Sequence, residues 1–462
     1  MLTRRSVAFL ALAFVAFAAD KVTPLDEFIQ KPDPAYRYEL NKTLKGEGYT
    51  AYVLDLTSQT WPPTGPAVTD HPVWKHWLTV IKPDRVEGTT GFLFITGGSL
   101  RDAAPARADA TMADIALNTN TVVAELRGIP NEPLVFTEEG KSRNEDGIIA
   151  FTWMHFIKTG DTTWPLHFPM AKAAVRAMDA VTALCATPDA GATKVDKYVV
   201  AGASKRGWTT WLTAAADKRV VAIVPMVIDT LNTEKAFDHH YQAYGFYSPA
   251  VKDYEDMGLM ELGGTPKYEA LMKLEDPYSY RERFTMPKLM INSAGDQYFL
   301  PDSSQFYFDG LPGERYLRYV PNTDHSLRNS DARETLIAYY HAFLKNTPRP
   351  KFTWKFEKDG GITVKTQDQP TEVKLWQATN PEKRDFRLAA LGPAYKPTVL
   401  TAASKGTYEA KIEKPEKGFT AAFVELTFPG PGKYPLKFTT AVRVTPDTLP
   451  FPPHKPSGKL PQ

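Results

Sequence analysis

Three residues whose side chains can together cleave an ester or an amide bond follow one another along the chain: Ser204, Asp296 and His325. A serine hydroxyl becomes a nucleophile when an adjacent base takes its proton, and a carboxylate holds that base in the right tautomer. Each residue comes after its own apolar run, in the order serine, acid, histidine, which is the order of the α/β-hydrolases. The sequence therefore predicts the catalytic triad of a serine hydrolase. The simpler interpretation of Ser204, as the cap of a helix, stays open.

The serine lies in the segment from Val199 to Gly207, which reads VVAGASKRG. A buried strand ends there and a helix begins at once, and such a tight turn requires small residues near the nucleophile. Gly202 meets that requirement. Arg206, however, stands where the second glycine of G-x-S-x-G is expected, and Gly207 comes one position later. This displaced glycine is the irregularity of the motif.

Two backbone N–H groups are expected to stabilise the oxyanion of the reaction. The N–H of Lys205 stands at the start of the predicted helix, where the helix dipole favours negative charge. The second donor is expected in a turn after an early strand, at Gly98 or Ser99, because glycines there allow the backbone to approach a substrate closely. The alternative for this turn is a plain connection between a strand and a helix.

Two further groups of residues are candidates for contact with the substrate. Glu138 and Glu139, with the acidic pair at 145–146, are able to hold a cationic group such as a peptide N-terminus, although acidic runs usually lie on solvated surface. Asp238 and His239 lie in a segment expected to cover the site. No metal site is predicted there, since the neighbouring histidines at 239 and 240 do not share a helix face.

The elements that must position these residues alternate between strands and helices. This alternation predicts a doubly wound, mostly parallel sheet of the α/β-hydrolase type. Apolar or alternating runs predict strands at 49–55, 73–81, 91–96, 121–126, 196–201, 220–228, 287–293 and 315–320, and helices at 170–185, 205–216 and 332–344.

Three other regions depart from that alternation. A segment rich in aromatic residues, at about 229–286, predicts a helical cap over the carboxyl edge of the sheet, where ligands bind. Short alternating runs from 351 to 447 predict a small C-terminal β-sandwich, and 448–462 is a Pro-rich tail. The hydrolase domain is accordingly expected at 20–347.

The N-terminus and the composition set the broad class of protein. Arg4 and Arg5 precede an apolar stretch of about a dozen residues and then small residues, which predicts a signal peptide at 1–19 with cleavage near Ala18 or Ala19. We expect no membrane span in the rest of the chain. The formal net charge of +2 gives no reason to expect a nucleic-acid partner, and the single cysteine, Cys185, excludes an intrachain disulfide.

The stretches GASKRGWTTW at 202–211 and AIVPMVIDTLN at 222–232 resemble the PhoPQ-activated pathogenicity-related protein family. Further similar stretches lie at 127–136, 145–153, 164–178 and 295–301. The resemblance covers residues 26–445 and implies an α/β-hydrolase-like fold with a serine triad, often exported and often followed by a β-sandwich. The family also includes members known as signals and not as enzymes, so the resemblance alone leaves catalytic activity open.

Taken together, these features predict an exported serine hydrolase that cleaves an ester or amide through an acyl-enzyme. No cofactor is expected, and the substrate is expected to be a small ester or a peptide. One alternative is a non-catalytic secreted binding or signalling protein on a hydrolase scaffold. Another, within the enzymes, is an aminopeptidase-like serine peptidase. The sequence leaves the substrate and the oligomeric state open.

Overall fold

The computed structural model describes residues 22–63, 68–412 and 414–459. The predicted signal peptide at 1–19 and its cleavage site lie outside the described residues. The α-helices of the described part are α1 Pro24–Gln30, α2 Ala110–Thr119, α3 Glu145–Thr159, α4 His167–Cys185, α5 Lys205–Ala216, α6 Thr233–Tyr244, α7 Lys252–Asp256, α8 Pro266–Glu275, α9 Ala332–Leu344 and α10 Leu388–Leu391.

The strands follow the same chain order. They are β1 Arg37–Gly46, β2 Tyr49–Thr60, β3 Val73–Pro83, β4 Thr90–Ile95, β5 Val123–Arg127, β6 Leu134–Val135, β7 Ser142–Arg143, β8 Lys197–Ala203, β9 Val220–Met226, β10 Lys288–Ser293, β11 Arg315–Val320, β12 Phe352–Phe356, β13 Ile362–Thr366, β14 Glu372–Asn380, β15 Lys396–Val399, β16 Thr407–Ala410, β17 Phe419–Phe428, β18 Leu436–Thr439 and β19 Arg443–Thr445.

The central sheet runs in the order β1-β2-β3-β5-β4-β8-β9-β10-β11. The strands from β5 to β11 in this order pair in parallel, whereas β1, β2 and β3 extend one edge in antiparallel pairing. Strand β8 is fully buried over most of its length because helices cover both faces of the sheet. This arrangement confirms the predicted α/β class with a mostly parallel central sheet.

Each strand and helix predicted for the hydrolase region is present. Helices α5 and α9 and strand β11 have the predicted bounds, and the others differ by a few residues at their ends. The carboxyl ends of β8, β10 and β11 lead directly into the loops that hold Ser204, Asp296 and His325. Parallel strands present these ends at one edge of the sheet, so the topology explains how residues from three separate parts of the chain lie on one side.

The segment between β9 and β10 contains helices α6, α7 and α8 joined by short 3-10 turns. Phe237 on α6, Val251, and Tyr254 on α7 line the same cavity as Ser204. The segment at about 229–286 therefore covers the serine, as expected of a cap.

The C-terminal region is antiparallel, as predicted, and it consists of two sheets. One contains β12, β13 and β16. The other, β18-β17-β14-β15, continues the central sheet, because Leu317 on β11 pairs with Thr439 on β18. The sequence did not predict this continuity, and the boundary between the two regions at about 347–351 stays a prediction.

A buried ion pair joins the two halves of this continuous sheet. Arg318 on β11, only 1% exposed, donates to Glu425 Oε2 on β17 at 2.6 Å and to Asp331 Oδ1 at 2.7 Å. Asp331 has a second partner in Lys437, whose Nζ lies 2.6 Å away. Glu425, in contrast, is 3% exposed and depends on Arg318 for its charge partner.

We expect Arg318→Met to destabilise the fold by about 3–5 kcal/mol, because it leaves the carboxylate of Glu425 buried without a partner. Replacing both residues, as Arg318→Met with Glu425→Met, removes the unpaired charge and should recover at least half of that loss. Urea unfolding of the two variants and the parent measures this. A double variant no more stable than the single one would contradict the assignment.

Candidate active site

Ser204 occupies the turn between strand β8 and helix α5. Its backbone has φ +60° and ψ −131°, a conformation that costs roughly 1–3 kcal/mol for a residue other than glycine. Its N–H donates to Met226 O on β9 at 2.9 Å, and its carbonyl accepts from Trp208 N at 3.0 Å. The side chain makes no capping hydrogen bond to α5. The simpler interpretation of Ser204, as a side-chain helix cap, therefore has no support in the geometry.

The backbone around the serine is too crowded for side chains at two positions. A Cβ atom on Gly202 would lie 2.6 Å from Arg206 O. A Cβ atom on Gly207 would lie 2.9 Å from Met226 O and 3.0 Å from Gly202 O. The displaced glycine is thus explained: α5 crosses the sheet so that position 207, and not 206, faces the strand ends.

We expect Gly207→Ala to lower the free energy of unfolding by about 1–3 kcal/mol, because the methyl group overlaps two carbonyl oxygens. Gly147, inside α3, is the matched control, since the nearest atom to its added Cβ is Asp253 Oδ1 at 3.6 Å. Gly147→Ala should be neutral or stabilising by up to about 1 kcal/mol, as usual inside a helix. Chemical unfolding of both variants provides the comparison. Equal effects on the free energy of unfolding would contradict the close approach of α5 to the strand ends at position 207.

The loops after β10 and β11 bring the acid and the histidine together. His325 Nδ1 donates to Asp296 Oδ2 at 2.8 Å, and its backbone N–H donates to Gln297 Oε1 at 3.1 Å. Asp296 is buried, and its Oδ1 accepts from the backbone N–H of Tyr298 at 2.8 Å. This is the arrangement in which a carboxylate fixes the imidazole tautomer and leaves Nε2 as the base.

The second ring nitrogen of His325, Nε2, has no partner within the described residues. Nε2 is buried and makes no hydrogen bond, including none to Ser204. The imidazole ring packs against Tyr298 and Phe299, with ring centroids 4.4 Å and 5.9 Å apart. Those two aromatic residues also line the cavity that contains Ser204. Tyr298 and Phe299 thus contact the ring of His325 and also line the cavity of Ser204, whereas His325 itself is not among the lining residues. Hydrogen bonds between a serine nucleophile and its base are often long or poorly aligned before substrate binds.

The cavity beside Ser204 has a volume of about 40 Å³. Its walls are mainly apolar and aromatic, with a few polar side chains. The lining residues are Asp146, Ile149, Trp153, His167, Ser204, Lys205, Trp208, Ile228, Thr230, Phe237, Val251, Tyr254, Tyr298 and Phe299. An apolar space with few polar groups is typical of a pocket for a small organic group.

The three predicted oxyanion donors, Lys205, Gly98 and Ser99, differ in their backbone surroundings. The N–H of Lys205 begins α5 directly after the serine. Gly98 has φ +153°, and a Cβ atom there would lie 3.0 Å from Gly128 N, so the position requires glycine. The N–H of Ser99 already donates to Asp102 Oδ2 at 2.8 Å. Gly98 is therefore the better candidate of the two alternatives.

The side chains of Lys205 and Arg206 bind acidic residues at the start of α3. Lys205 Nζ lies 2.6 Å from Glu145 Oε2 and 3.5 Å from Asp146 Oδ2. Arg206 makes two hydrogen bonds to the Glu145 carboxylate, at 2.8 and 2.9 Å, and a third to Ile129 O. The acidic pair at 145–146 therefore binds this protein's own cations, and not primarily a cationic substrate.

Two carboxyl groups of this cluster have shifted pKa values of opposite sign. Burial, together with the charge of Glu145, raises the pKa of Glu132 to about 7. Burial alone would raise the pKa of Glu145 as well, but the hydrogen bonds and charges of Arg206 and Lys205 outweigh it and lower that pKa to about 2. Glu145 stays ionised, and both cations at the start of α5 stay paired.

The structure does not bring the four predicted substrate-binding residues to Ser204. Glu138 lies near His155 Nδ1, at 3.4 Å, and Glu139 is paired with Arg143. Asp238 is exposed on α6. His239 is buried and lies 3.1 Å from Asp302 Oδ2, in an ion cluster with Arg384. None of the four is among the residues that line the cavity.

Sequence reasoning missed a buried His–Glu pair whose histidine lines this cavity. His167 is 1% and Glu275 is 0% exposed, and the Nδ1 of the histidine donates to Glu275 Oε2. The available signal was slight: His167 is the first residue of α4, and Glu275 ends α8, more than a hundred positions later. Neither residue stands in a recognisable motif.

Within the described residues, no group of three or more His, Cys, Asp or Glu side chains is arranged to hold a metal ion. A search of the same ranges for helices long and apolar enough to cross a membrane also finds none.

Several known proteins are similar to this chain in structure or in sequence. Among solved structures, acetyl xylan esterase 1 from a Thermoanaerobacterium species aligns with a TM-score of 0.46 at 16% identity, over 70% of this chain and 91% of that chain. An acetyl xylan esterase from a Paenibacillus species aligns with a TM-score of 0.43 at 12% identity, over 67% of this chain and 91% of that chain. Similarities this low carry no information about substrate.

The sequence similarity is much stronger. Autocrine proliferation repressor protein A of Dictyostelium discoideum is 38% identical over 458 residues, which cover 93% of this chain and 92% of the relative. Residues 25–387 match the PhoPQ-activated pathogenicity-related protein family, which confirms the resemblance drawn from the stretches around Ser204. The chain belongs to the PhoPQ-activated pathogenicity-related protein family.

Proposed function

We propose that the protein is a serine hydrolase that cleaves an ester or amide bond with Ser204 as nucleophile, His325 as base and Asp296 as the acid that orients it. The observation that carries the proposal is the serine at φ +60° on a strand-to-helix turn, bordering one cavity with the two aromatic residues that pack on His325. A strained serine at this position exposes its hydroxyl to a substrate. The hydrogen bond of 2.8 Å from His325 Nδ1 to Asp296 Oδ2 supports the proposed roles of the base and the acid.

The proposed reaction uses these three side chains, two backbone N–H groups and a water molecule. His325 Nε2 takes the proton of Ser204 Oγ as the oxygen attacks the carbonyl carbon of the substrate. The N–H groups of Lys205 and Gly98 stabilise the oxyanion, and His325 passes its proton to the leaving oxygen or nitrogen as that bond breaks. Water, activated by the same histidine, then releases the acid from Ser204.

A fluorophosphonate probe tests the nucleophile directly. We expect it to label Ser204 in the folded protein at mildly alkaline pH, and Ser204→Ala to abolish both labelling and hydrolysis of short acyl esters. His325→Ala should lower kcat by about 10³-fold or more, because it removes the base. Ser404→Ala, at an exposed serine of the C-terminal region, is the control and should behave like the parent.

The second candidate function is binding or signalling without catalysis. Two observations favour it: the relative at 38% identity is named a proliferation repressor, and His325 Nε2 makes no hydrogen bond to Ser204. A folded protein that neither reacts with the probe nor cleaves esters or aminoacyl amides would favour this function over hydrolysis.

We also infer that the protein is exported, from the basic and apolar pattern of residues 1–19. Expression of the full chain in a host with a secretory pathway should yield a mature protein outside the cytoplasm. Mass spectrometry of its N-terminal peptide should find Ala19 or Asp20 as the first residue. Recovery of the intact N-terminus from the cytoplasm alone would contradict export.

A further inference from the structure

The wall of the cavity beside Ser204 contains a histidine, His167, that the proposed reaction does not use and that is hydrogen-bonded to the buried Glu275. His167 Nδ1 donates to Glu275 Oε2, and the same oxygen accepts from Trp153 Nε1 at 2.9 Å. Of these residues, His167 and Trp153 line the cavity together with Ser204. His167 and Ser204 therefore border the same cavity.

Aromatic packing fixes the orientation of the His167 ring. Trp208, one helical turn after Ser204 on α5, stacks on it with a centroid distance of 4.8 Å and an interplanar angle of 16°. The indole N–H of Trp208 donates to Glu275 O at 2.6 Å, so Trp208 is itself held in place. A ring bonded at Nδ1 and stacked on one face has little freedom to turn its Nε2 elsewhere.

The Nε2 atom of His167 has no partner among the described residues. The residue is almost fully buried, with 1% of its surface exposed. Thr230 Oγ1, also buried and lining the cavity, has none either. Buried polar atoms are nearly always hydrogen-bonded, so two such atoms on one small cavity indicate a ligand that completes them. With its proton on Nδ1, His167 presents a lone pair at Nε2 and accepts a hydrogen bond.

The volume limits the size of that ligand. The cavity holds about 40 Å³, and a single water needs roughly 10–15 Å³. An acyl chain of two or three carbons with one polar atom suits so small a space better than a long fatty acyl chain does.

We propose that His167 selects short acyl groups that carry a hydrogen-bond donor, a hydroxyl or an amino group, on the carbon next to the carbonyl. This specificity rests on the proposed function of Ser204, because the acyl group is the one transferred to that serine. The apolar indoles of Trp153 and Trp208 contact the carbon atoms, and His167 Nε2 accepts from the donor. Glu275 holds the tautomer and adds negative charge behind the histidine.

The test compares aryl esters that differ in one group. The 2-hydroxypropanoyl, 2-aminopropanoyl and 2-methylpropanoyl esters have nearly the same shape, and only the last lacks a donor. Each kcat/KM is divided by the ester's own rate of hydroxide hydrolysis, because a neighbouring heteroatom activates the carbonyl. We expect the parent to prefer the hydroxy or the amino ester to the methyl ester by about tenfold or more.

Two variants assign the preference to the pair. His167→Phe keeps the stack on Trp208 and removes the acceptor, so the preference should disappear while Ser204 still reacts with the fluorophosphonate. Glu275→Gln retains an oxygen for His167 and Trp153 but removes the charge, so it should reduce the preference for the amino ester and spare that for the hydroxy ester. His155→Phe is the control, because His155 also stacks on a tryptophan, Trp164 at 3.5 Å, but lies outside the cavity lining.

Several results would overturn the proposal. If the parent cleaves the methyl ester as well as both others after normalisation, the pocket does not recognise a donor, whether or not His167→Phe folds. An unchanged preference in a folded His167→Phe protein excludes His167 as its source. If the probe labels Ser204 and the preference is absent, only this specificity fails. If Ser204 does not react at all, the proposed hydrolase function fails with it.

Discussion

The carbonyl of Met226 on β9 sets the geometry around the candidate nucleophile. It accepts the N–H of Ser204 at 2.9 Å, and it lies 2.9 Å from the position that a Cβ atom of residue 207 would occupy. One oxygen thus holds the serine in its strained backbone conformation and requires glycine one turn into α5. The contact depends on β9 lying parallel beside β8 and in register with it, with Ala203 opposite Met226. The strand pairing of the central sheet is therefore part of the construction of the site, because a shift of register would move this oxygen away from the serine.

The same crossing determines where the charged residues after the serine point. With position 207 against the strands, Arg206 turns toward Ile129 and Glu145, and Lys205 reaches Glu145 and Asp146. Glu145 is itself at φ +50°, a second strained residue, and it contacts the helix that follows Ser204. Its carboxylate is ionised because both cations bind it, which outweighs the cost of its burial. The ion cluster ties α3 to α5, and α3 carries Asp146, Ile149 and Trp153 of the cavity wall.

Much of the hydrolase region could be predicted from the sequence, because buried parallel strands are short apolar runs and the turns after them carry the polar residues. The predicted bounds of α5, α9 and β11 match the structure. Helix α3 was not predicted, since it is buried on nearly all sides from Gly147 to Ile157 and shows no amphipathic period. The displaced glycine was visible in the sequence as an irregularity. Its cause is the close approach of position 207 to the carbonyl oxygens of Gly202 on β8 and Met226 on β9, which the sequence does not show. The His167–Glu275 pair joins the start of α4 to the end of α8. The two residues are far apart in the sequence, and no local sequence pattern predicts their contact.

The C-terminal region lies beside the candidate site because its strands continue the central sheet, and this position was not predicted from the sequence. Leu388 N donates to Gly295 O at 2.9 Å, and a Cβ atom on Gly295 would lie 3.1 Å from that nitrogen, so the segment packs directly on the residue before Asp296. Asn322, three residues before His325, exchanges two hydrogen bonds of 2.9 Å with the backbone of Tyr395. The loops of the acid and of the histidine therefore rest on one C-terminal segment, and their separation is set by that segment as well as by β10 and β11. A region that joins the central sheet through β18 and supports both loops acts as part of the same scaffold as β10 and β11.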